Sequence, residues 1–415
     1  MNCRFCQNNL TVEFVDLGIC PPSNSYLRAD QLREPEAAYP LRVFVCEKCF
    51  LVQIDEYKKA TEIFGLDYAY FSSISKSWVE HAENYVEMMC GQFGYDGTSQ
   101  VIEIASNDGY LLQFFKQRGV PVLGIEPTLS TATAAREKGI ETWTEFFGAN
   151  LARRLAEDGR QADLLLGNNV LAHVPNLNDF VEGLKIALKS AGVVTMEFPH
   201  LLQLIENSQF DTIYHEHFSY LSLHTVSEIF AAHGILIFDV EELATHGGSL
   251  RIFAKHQEDE TKLVSESVTN ILSKERQTGL LDIDYYLGFQ SKADGIKEEL
   301  LSFLTTQKKN NKKVAAYGAA AKGNTLLNYC GITTDLISFV VDASPYKQGQ
   351  YMPGSHIPIV DESFIRRERP DFIVILPWNL KQEITEQLNY IKDWGGKFVT
   401  AVPELQISDE DVNGK

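Results

Sequence analysis

Short apolar runs separated by amphipathic stretches recur through the middle of the chain, and their spacing sets the first expectations. "VIEIA" (101–105) is a compact apolar run that reads as a buried strand. "GYLLQFFKQRG" (109–119) reads as a helix, and "PVLGIEP" (121–127) as the next strand. A helix is expected just before them, over "EHAENYVEMMCGQFG" (80–94). Strand, helix and strand in this order predict a βαβ unit opening a doubly wound sheet. The alternation continues through "ADLLLGNNVLAHVPNLNDFVEGLKIALKSAGVVTMEFPH" (162–200) as strand, polar loop, helix and strand. "THGGSLRIFAK" (245–255) reads as a turn into a strand.

A second series follows. Residues 286–332 predict a long amphipathic helix, a basic turn, the strand "KVAAYGA" and another helix. "FVVDASPYKQGQ" (339–350) and "DFIVILPWNL" (371–380) add two strand-plus-turn segments, as a second parallel sheet requires. At 415 residues the chain is too long for one ordinary core, so two or three domains are expected.

Charge narrows the function classes. The net charge of −19 argues against nucleic-acid binding, which needs clustered Lys and Arg, but leaves room for a local basic pocket. No apolar run approaches the roughly 20 residues of a membrane span, and "MNCRFCQNNL" has no signal-peptide core. The expected location is the cytoplasm.

Four of the seven cysteines fall in two C-x-x-C pairs, Cys3 with Cys6 and Cys46 with Cys49. Two such turns complete the four-thiolate shell that zinc prefers, and a closed shell predicts a structural ion. The 39-residue gap between the pairs requires a small subdomain.

The turn after the first strand, "EIASNDGY", offers Glu103, Asn107, Asp108 and Gly109 at a strand's carboxyl end. Glu126 ends the second strand, where an acid can accept both hydroxyls of a ribose. Gly109 is the turn's only glycine. That pattern fits S-adenosylmethionine better than a dinucleotide, whose pyrophosphate needs G-x-G-x-x-G. Asn168, Asn169 and His173 stand at another strand end and are candidates to face cofactor or substrate. In "YGAAAKGN", Lys322 precedes the second glycine, and Asn324 stands where a P-loop has its lysine. An ATP-cleaving site is therefore not expected. Such a turn can still hold a phosphate through backbone N–H groups and charge; alternatively, Lys322 lies only on a helix surface.

"DYAYFSSIS", "EIASNDGYLL", "GIEPT", "NNVLAHVPN", "YHEHFSYLSL", "HGGSLR" and "GAAAKGNTLLN" follow the tetracysteine start in order. Together they resemble the zinc-containing, S-adenosylmethionine-dependent sugar C-methyltransferases of deoxysugar biosynthesis. The resemblance implies an α/β protein in three parts: a zinc-binding domain (1–66), a Rossmann-like methyltransferase domain (67–280) and a second Rossmann-like domain (281–415). The last would contribute to binding the substrate, a nucleotide-linked 4-keto sugar methylated at C3. The resemblance also places Tyr68, His173, Tyr214, Glu216 and His217 at active-site positions, with His217 the general base. Glu103, Asn107, Gly109, Glu126 and Asn168 would hold the cofactor. Tyr70, Arg251, Lys322 and Asn324 are candidates to meet the substrate. Oligomeric state is not legible.

Carbon methylation requires a carbon nucleophile, which an enolate beside a ketone provides. Histidine, titrating near pH ~6.5, suits the proton abstraction, and phenols suit the developing oxyanion. The backbone of "YHEH" decides an alternative. A strand would put His215 and His217 on one face, as a metal cage needs, whereas a helical turn would pair Tyr214 with His217. A dinucleotide-dependent nucleotide-sugar oxidoreductase and a non-catalytic zinc-stabilised binding protein are the competing readings.

Overall fold

The computed structural model describes residues 1–63 and 71–408; Tyr68 and Tyr70 lie outside them. Contacts divide the chain into two compact units that alternate along the sequence. The first comprises Met1–Val12, Val45–Leu201 and His217–Ile283. The second comprises Glu13–Phe44, Leu202–Glu216 and Asp284–Lys415. Strands β1 (Val12–Cys20) and β2 (Tyr39–Val45) are neighbours and fall almost wholly in the second unit.

The first unit begins with the cysteine pairs and the short strand β3 (Val52–Ile54). Its main body is a seven-stranded sheet. Four strands are β4 (Val101–Ile104), β5 (Val122–Ile125), β6 (Thr142–Trp143) and β7 (Ala162–Asn168). The others are β8 (Leu188–Pro199), β10 (Ile235–Leu243) and β11 (Ser249–His256). The order is β10-β11-β8-β7-β4-β5-β6. β6 to β8 are joined by parallel pairings, and β11 is inserted between β8 and β10, antiparallel to both. β9 (Ser219–Tyr220) pairs with β3 instead.

The largely apolar run "VIEIA" follows from burial: β4 is buried along its length, Glu103 included, as a central parallel strand covered by helices must be. The helix Lys76–Phe93 covers part of that sheet. Ala82, Tyr85, Val86 and Met89, spaced for one helical face, pack with Val101, Leu164, Leu166 and Phe253. Ser75 caps its start by accepting the Trp78 N–H, and Gly94 ends it in the left-handed conformation.

The second unit carries the strands β12 (Val314–Tyr317), β13 (Val340–Val341), β14 (Ile359–Val360), β15 (Phe372–Ile375), β16 (Lys397–Thr400) and β17 (Gln406–Ile407). Their order is β14-β13-β12-β15-β16-β17, parallel except for β17. The chain leaves β12 toward β13 on one side and returns to β15 on the other. That makes the carboxyl ends of β12 and β15 the switch point where open sheets receive ligands. Among the described residues, no helix is long and apolar enough to cross a membrane.

Candidate active site and zinc knuckle

The four sulfurs of Cys3, Cys6, Cys46 and Cys49 lie within 4.8 Å of one another, with Cys3–Cys49 and Cys6–Cys46 Sγ pairs both at 3.5 Å. A tetrahedral ion about 2.3 Å from each thiolate sets sulfurs slightly under 4 Å apart, so the residues fit zinc. Gln53 donates its side-chain N–H to Cys3 Sγ at 3.2 Å, which supports a thiolate. Among the described residues, this is the only group of His, Cys, Asp or Glu side chains arranged to hold a metal.

His215, weighed with His217 for a metal cage, and the nearby His200 and His224 are each spent on separate partners. His200 pairs with buried Glu275 at 2.7 Å. His215 meets the Pro40 carbonyl at 3.2 Å and the edge of Tyr39. His224 packs edge-on to Phe50. Residues 215–216 form a turn, not the strand that a His215–His217 cage would need.

The cofactor candidates gather at the carboxyl ends of β4, β5 and β7. Gly109 sits at φ +74, and a Cβ there would stand 2.4 Å from Ile140 Cδ1, so the turn requires glycine. Ala105 and Asn107 share the left-handed region despite their side chains, the kind of local strain functional turns carry. Glu126 shapes this turn, accepting the Asn107 and Thr128 amides at 2.9 Å each. Burial pushes its pKa up, against the pull of those amides. The Asn107 side chain accepts the Ser72 N–H at 2.9 Å.

Several polar atoms here are buried with no hydrogen-bond partner: Glu103 Oε2, Asp108 Oδ1 and both side-chain polar atoms of Asn168. Burial, then Asp108 and Glu126, push the Glu103 carboxyl well above the usual range. Asp108 is held through its other oxygen by Lys138 at 3.1 Å, but the unpartnered Glu103 oxygen and the Asn168 amide, at the ends of neighbouring strands, fit a ligand carrying an ammonium group and hydroxyls, as S-adenosylmethionine does.

His173, just beyond the end of β7, and His217 stand edge to face, ring centroids 4.6 Å apart. Tyr220 lies 6.2 Å from His217. Arg251 is buried in a cross-strand row, pairing with Glu197 at 3.2 Å and Glu241 at 3.0 Å, and lies over the Tyr85 ring.

The second unit holds the remaining candidates. Gly318 opens the turn after β12 at φ +91, where a Cβ would meet Pro377 at 2.4 Å. Lys322 donates to Asn379 Oδ1 at 2.6 Å and lies 4.5 Å from the Trp378 ring centroid. Trp378 in turn donates to Asp211 Oδ2 at 2.8 Å. Burial pushes the lysine down to about 8, opposed by Asp211, and pushes Asp211 up to about 6. Asn324 is fully buried with neither side-chain polar atom partnered. Glu216 accepts from Asn24 at 2.8 Å, and Tyr26 reaches both Asn24 and the Ala319 carbonyl.

Asp211, Trp378, Asn24 and Tyr26 are not picked out by the sequence reading. Trp378 stands two residues past the strand run "DFIVIL" (371–376), so the strand-end rule applied there would have found it. Asn24 and Tyr26 lie far from the turn in sequence and carry no comparable signal.

Residues 3–64 match a family described as a zinc binding domain, residues 91–239 a methyltransferase domain, and residues 244–403 a C-methyltransferase C-terminal domain. The C-methyltransferase NovU of Streptomyces niveus is 31% identical over 405 residues, covering 98% of this chain and 96% of its own. The chain belongs to the zinc-containing, S-adenosylmethionine-dependent C-methyltransferases. The methyltransferase uses S-adenosylmethionine and carries a structural zinc, and neither the oxidoreductase nor the binding-protein reading is retained.

Solved structures similar to part of the methyltransferase include the PH0226 protein of Pyrococcus horikoshii (15% identity, 48% of this chain and 99% of that one, TM-score 0.38). Another is the magnesium protoporphyrin IX methyltransferase of Synechocystis PCC 6803 with bound S-adenosylmethionine (16%, 47% and 88%, TM-score 0.34).

Proposed function

We propose that the enzyme methylates C3, beside the 4-keto group of a nucleotide-linked deoxysugar, with His217 as the general base. The observation that carries this reading is the imidazole pair, His217 with His173 at 4.6 Å, in the unit that holds the cofactor candidates. A base whose charge changes near neutral pH suits removal of a proton beside a ketone. His217 takes the C3 proton, and the C–H electrons move into an enolate. S-adenosylmethionine supplies the electrophilic methyl group when bound. The enolate carbon would be the nucleophile for that methyl, with S-adenosylhomocysteine as the leaving group, while His217 holds the abstracted proton. Tyr214 and Glu216, adjacent in sequence, together with Tyr68 and Tyr70, are assigned to the ketone oxygen and the sugar. Glu103, Asn107, Gly109, Glu126 and Asn168 are assigned to the cofactor.

The nucleotide is assigned to the switch point of the second unit. A buried lysine at a glycine-containing strand-to-helix turn, with the unpartnered Asn324 side chain two residues on, supports a phosphate there. The same reading keeps three functional parts along the chain, at 1–66, 67–280 and 281–415.

The test is proton exchange. Wild type should wash solvent deuterium into C3 of dTDP-, GDP- or CDP-linked 4-keto-6-deoxyhexoses in the presence of S-adenosylhomocysteine, and His217→Asn should not. Exchange by the variant at the wild-type rate would remove His217 as the base.

A further inference from the structure

We infer that Arg4, inside the zinc knuckle, is a positioning residue for the two histidines. The inference rests on reading His217 as the base, and it gives the zinc module a task in the chemistry. Arg4 stands between the ligands Cys3 and Cys6. Its backbone N–H donates to Gln53 Oε1 at 2.9 Å, the same side chain that donates to Cys3 Sγ. The knuckle therefore fixes where the arginine starts.

Its side chain, only 8% exposed, reaches three separate segments. One guanidinium nitrogen donates to the Pro175 carbonyl at 3.1 Å, two residues beyond His173. The other donates to the Ile54 carbonyl at 2.7 Å. The guanidinium carbon lies 4.9 Å from the ring centroid of Phe218, the residue after His217. Ile54 closes the loop, donating its N–H to the Phe218 carbonyl at 3.1 Å. One planar cation thus touches the chain on both sides of a histidine pair whose rings are 4.6 Å apart.

Glu56 approaches only to 3.9 Å and is half-exposed, so the burial of this charge is not offset by a close ion pair. A purely structural tie would be made more cheaply by an apolar side chain. What the guanidinium adds is a rigid fork of donors that can hold two carbonyls and a ring at fixed angles, which lysine cannot reproduce.

The test uses full-length, zinc-loaded protein with ¹⁵N-labelled histidine. Arg4→Met keeps the apolar stem, and Arg4→Lys keeps the charge. His173→Asn and His217→Asn assign the two ring signals, with zinc content and S-adenosylhomocysteine affinity measured alongside. The expected result is one zinc per chain and unchanged affinity in both variants, with ring resonances and titration midpoints of His173 and His217 shifted while those of His200 and His356 stay. The shift should be smaller in Arg4→Lys. Unmoved His173 and His217 signals in a zinc-loaded Arg4→Met protein would overturn the proposal, as would shifts of all histidines together with loss of zinc. Should His217→Asn retain C3 exchange, the base assignment falls, while the ring signals still decide whether Arg4 holds these loops.

Discussion

His217 and His173 stand edge to face, so the chemistry assigned to one is tied to the position of the other. His217→Asn keeps a similar volume and one polar edge but cannot take a proton, and should lower kcat by about 10²–10⁴-fold with S-adenosylhomocysteine affinity unchanged. Stopped turnover with intact calorimetric binding is the expected pair of results. Glu103 makes a second prediction. Its carboxyl is held well above the usual range, so it is protonated in the free protein at pH values where an exposed glutamate is ionised. A ligand bringing positive charge should release that proton. Binding enthalpies for S-adenosylmethionine should differ between buffers of unequal ionisation enthalpy, and Glu103→Gln should abolish the difference. A raised carboxyl pKa opposes folding as pH rises through the unfolded value, so Glu103→Gln should also raise the melting temperature of the cofactor-free protein at neutral pH.

Lys322 works in the opposite sense. Pushed down to about 8, it loses its charge as pH rises through that value. Nucleoside diphosphate affinity should fall above about pH 8, by up to roughly tenfold per unit, and should stay flat in Lys322→Arg. At this scale the sequence located the cysteines and the "EIASNDGY" turn because their chemistry lies in local spacing. It left Asp211 and Arg4 unremarked because their partners, Trp378 and Pro175, are supplied by residues more than 160 positions away.

Among the elements, the helix Leu223–Ala232 shows how a histidine that looks functional can be structural. Buried Glu275 accepts the Leu223 and His224 amides at 2.6 and 2.8 Å at the helix start, and His200 at 2.7 Å. A carboxylate there satisfies helix N–H groups and meets the positive end of the dipole. Removing it strands several buried donors, so Glu275→Ala should cost about 3 kcal/mol in chemical denaturation, with Glu275→Gln costing less. The zinc knuckle is similarly tied in, since β3 pairs with β9 two residues past His217. Cys46→Ser should therefore lose the metal by elemental analysis and lower the melting temperature. The parallel strands were legible because burial on both faces writes a continuous apolar run. The insertion of β11 between β8 and β10 was not, because antiparallel neighbours are chosen by long-range packing that no local period records.

Across the whole molecule, hydrophobic periodicity marked two α/β series in the right order along the chain. Contacts instead join segments that alternate between the two units, and one division falls between Glu216 and His217, within the motif that carries the proposed chemistry. A pattern read residue by residue follows the chain, whereas compactness follows contacts. The net charge of −19 belongs to this scale as well. It leaves the phosphate of an anionic substrate dependent on local groups such as Lys322, so substrate affinity should fall with added salt more steeply than cofactor affinity.

The most direct measurement incubates the enzyme with ¹³C-methyl-labelled S-adenosylmethionine and dTDP-, GDP- and CDP-linked 4-keto-6-deoxyhexoses, then reads the product by mass spectrometry and carbon NMR. The account predicts one labelled methyl on one of these sugars, bonded to C3. A label on oxygen or nitrogen, or no transfer to any of them by enzyme that binds S-adenosylhomocysteine, would contradict it.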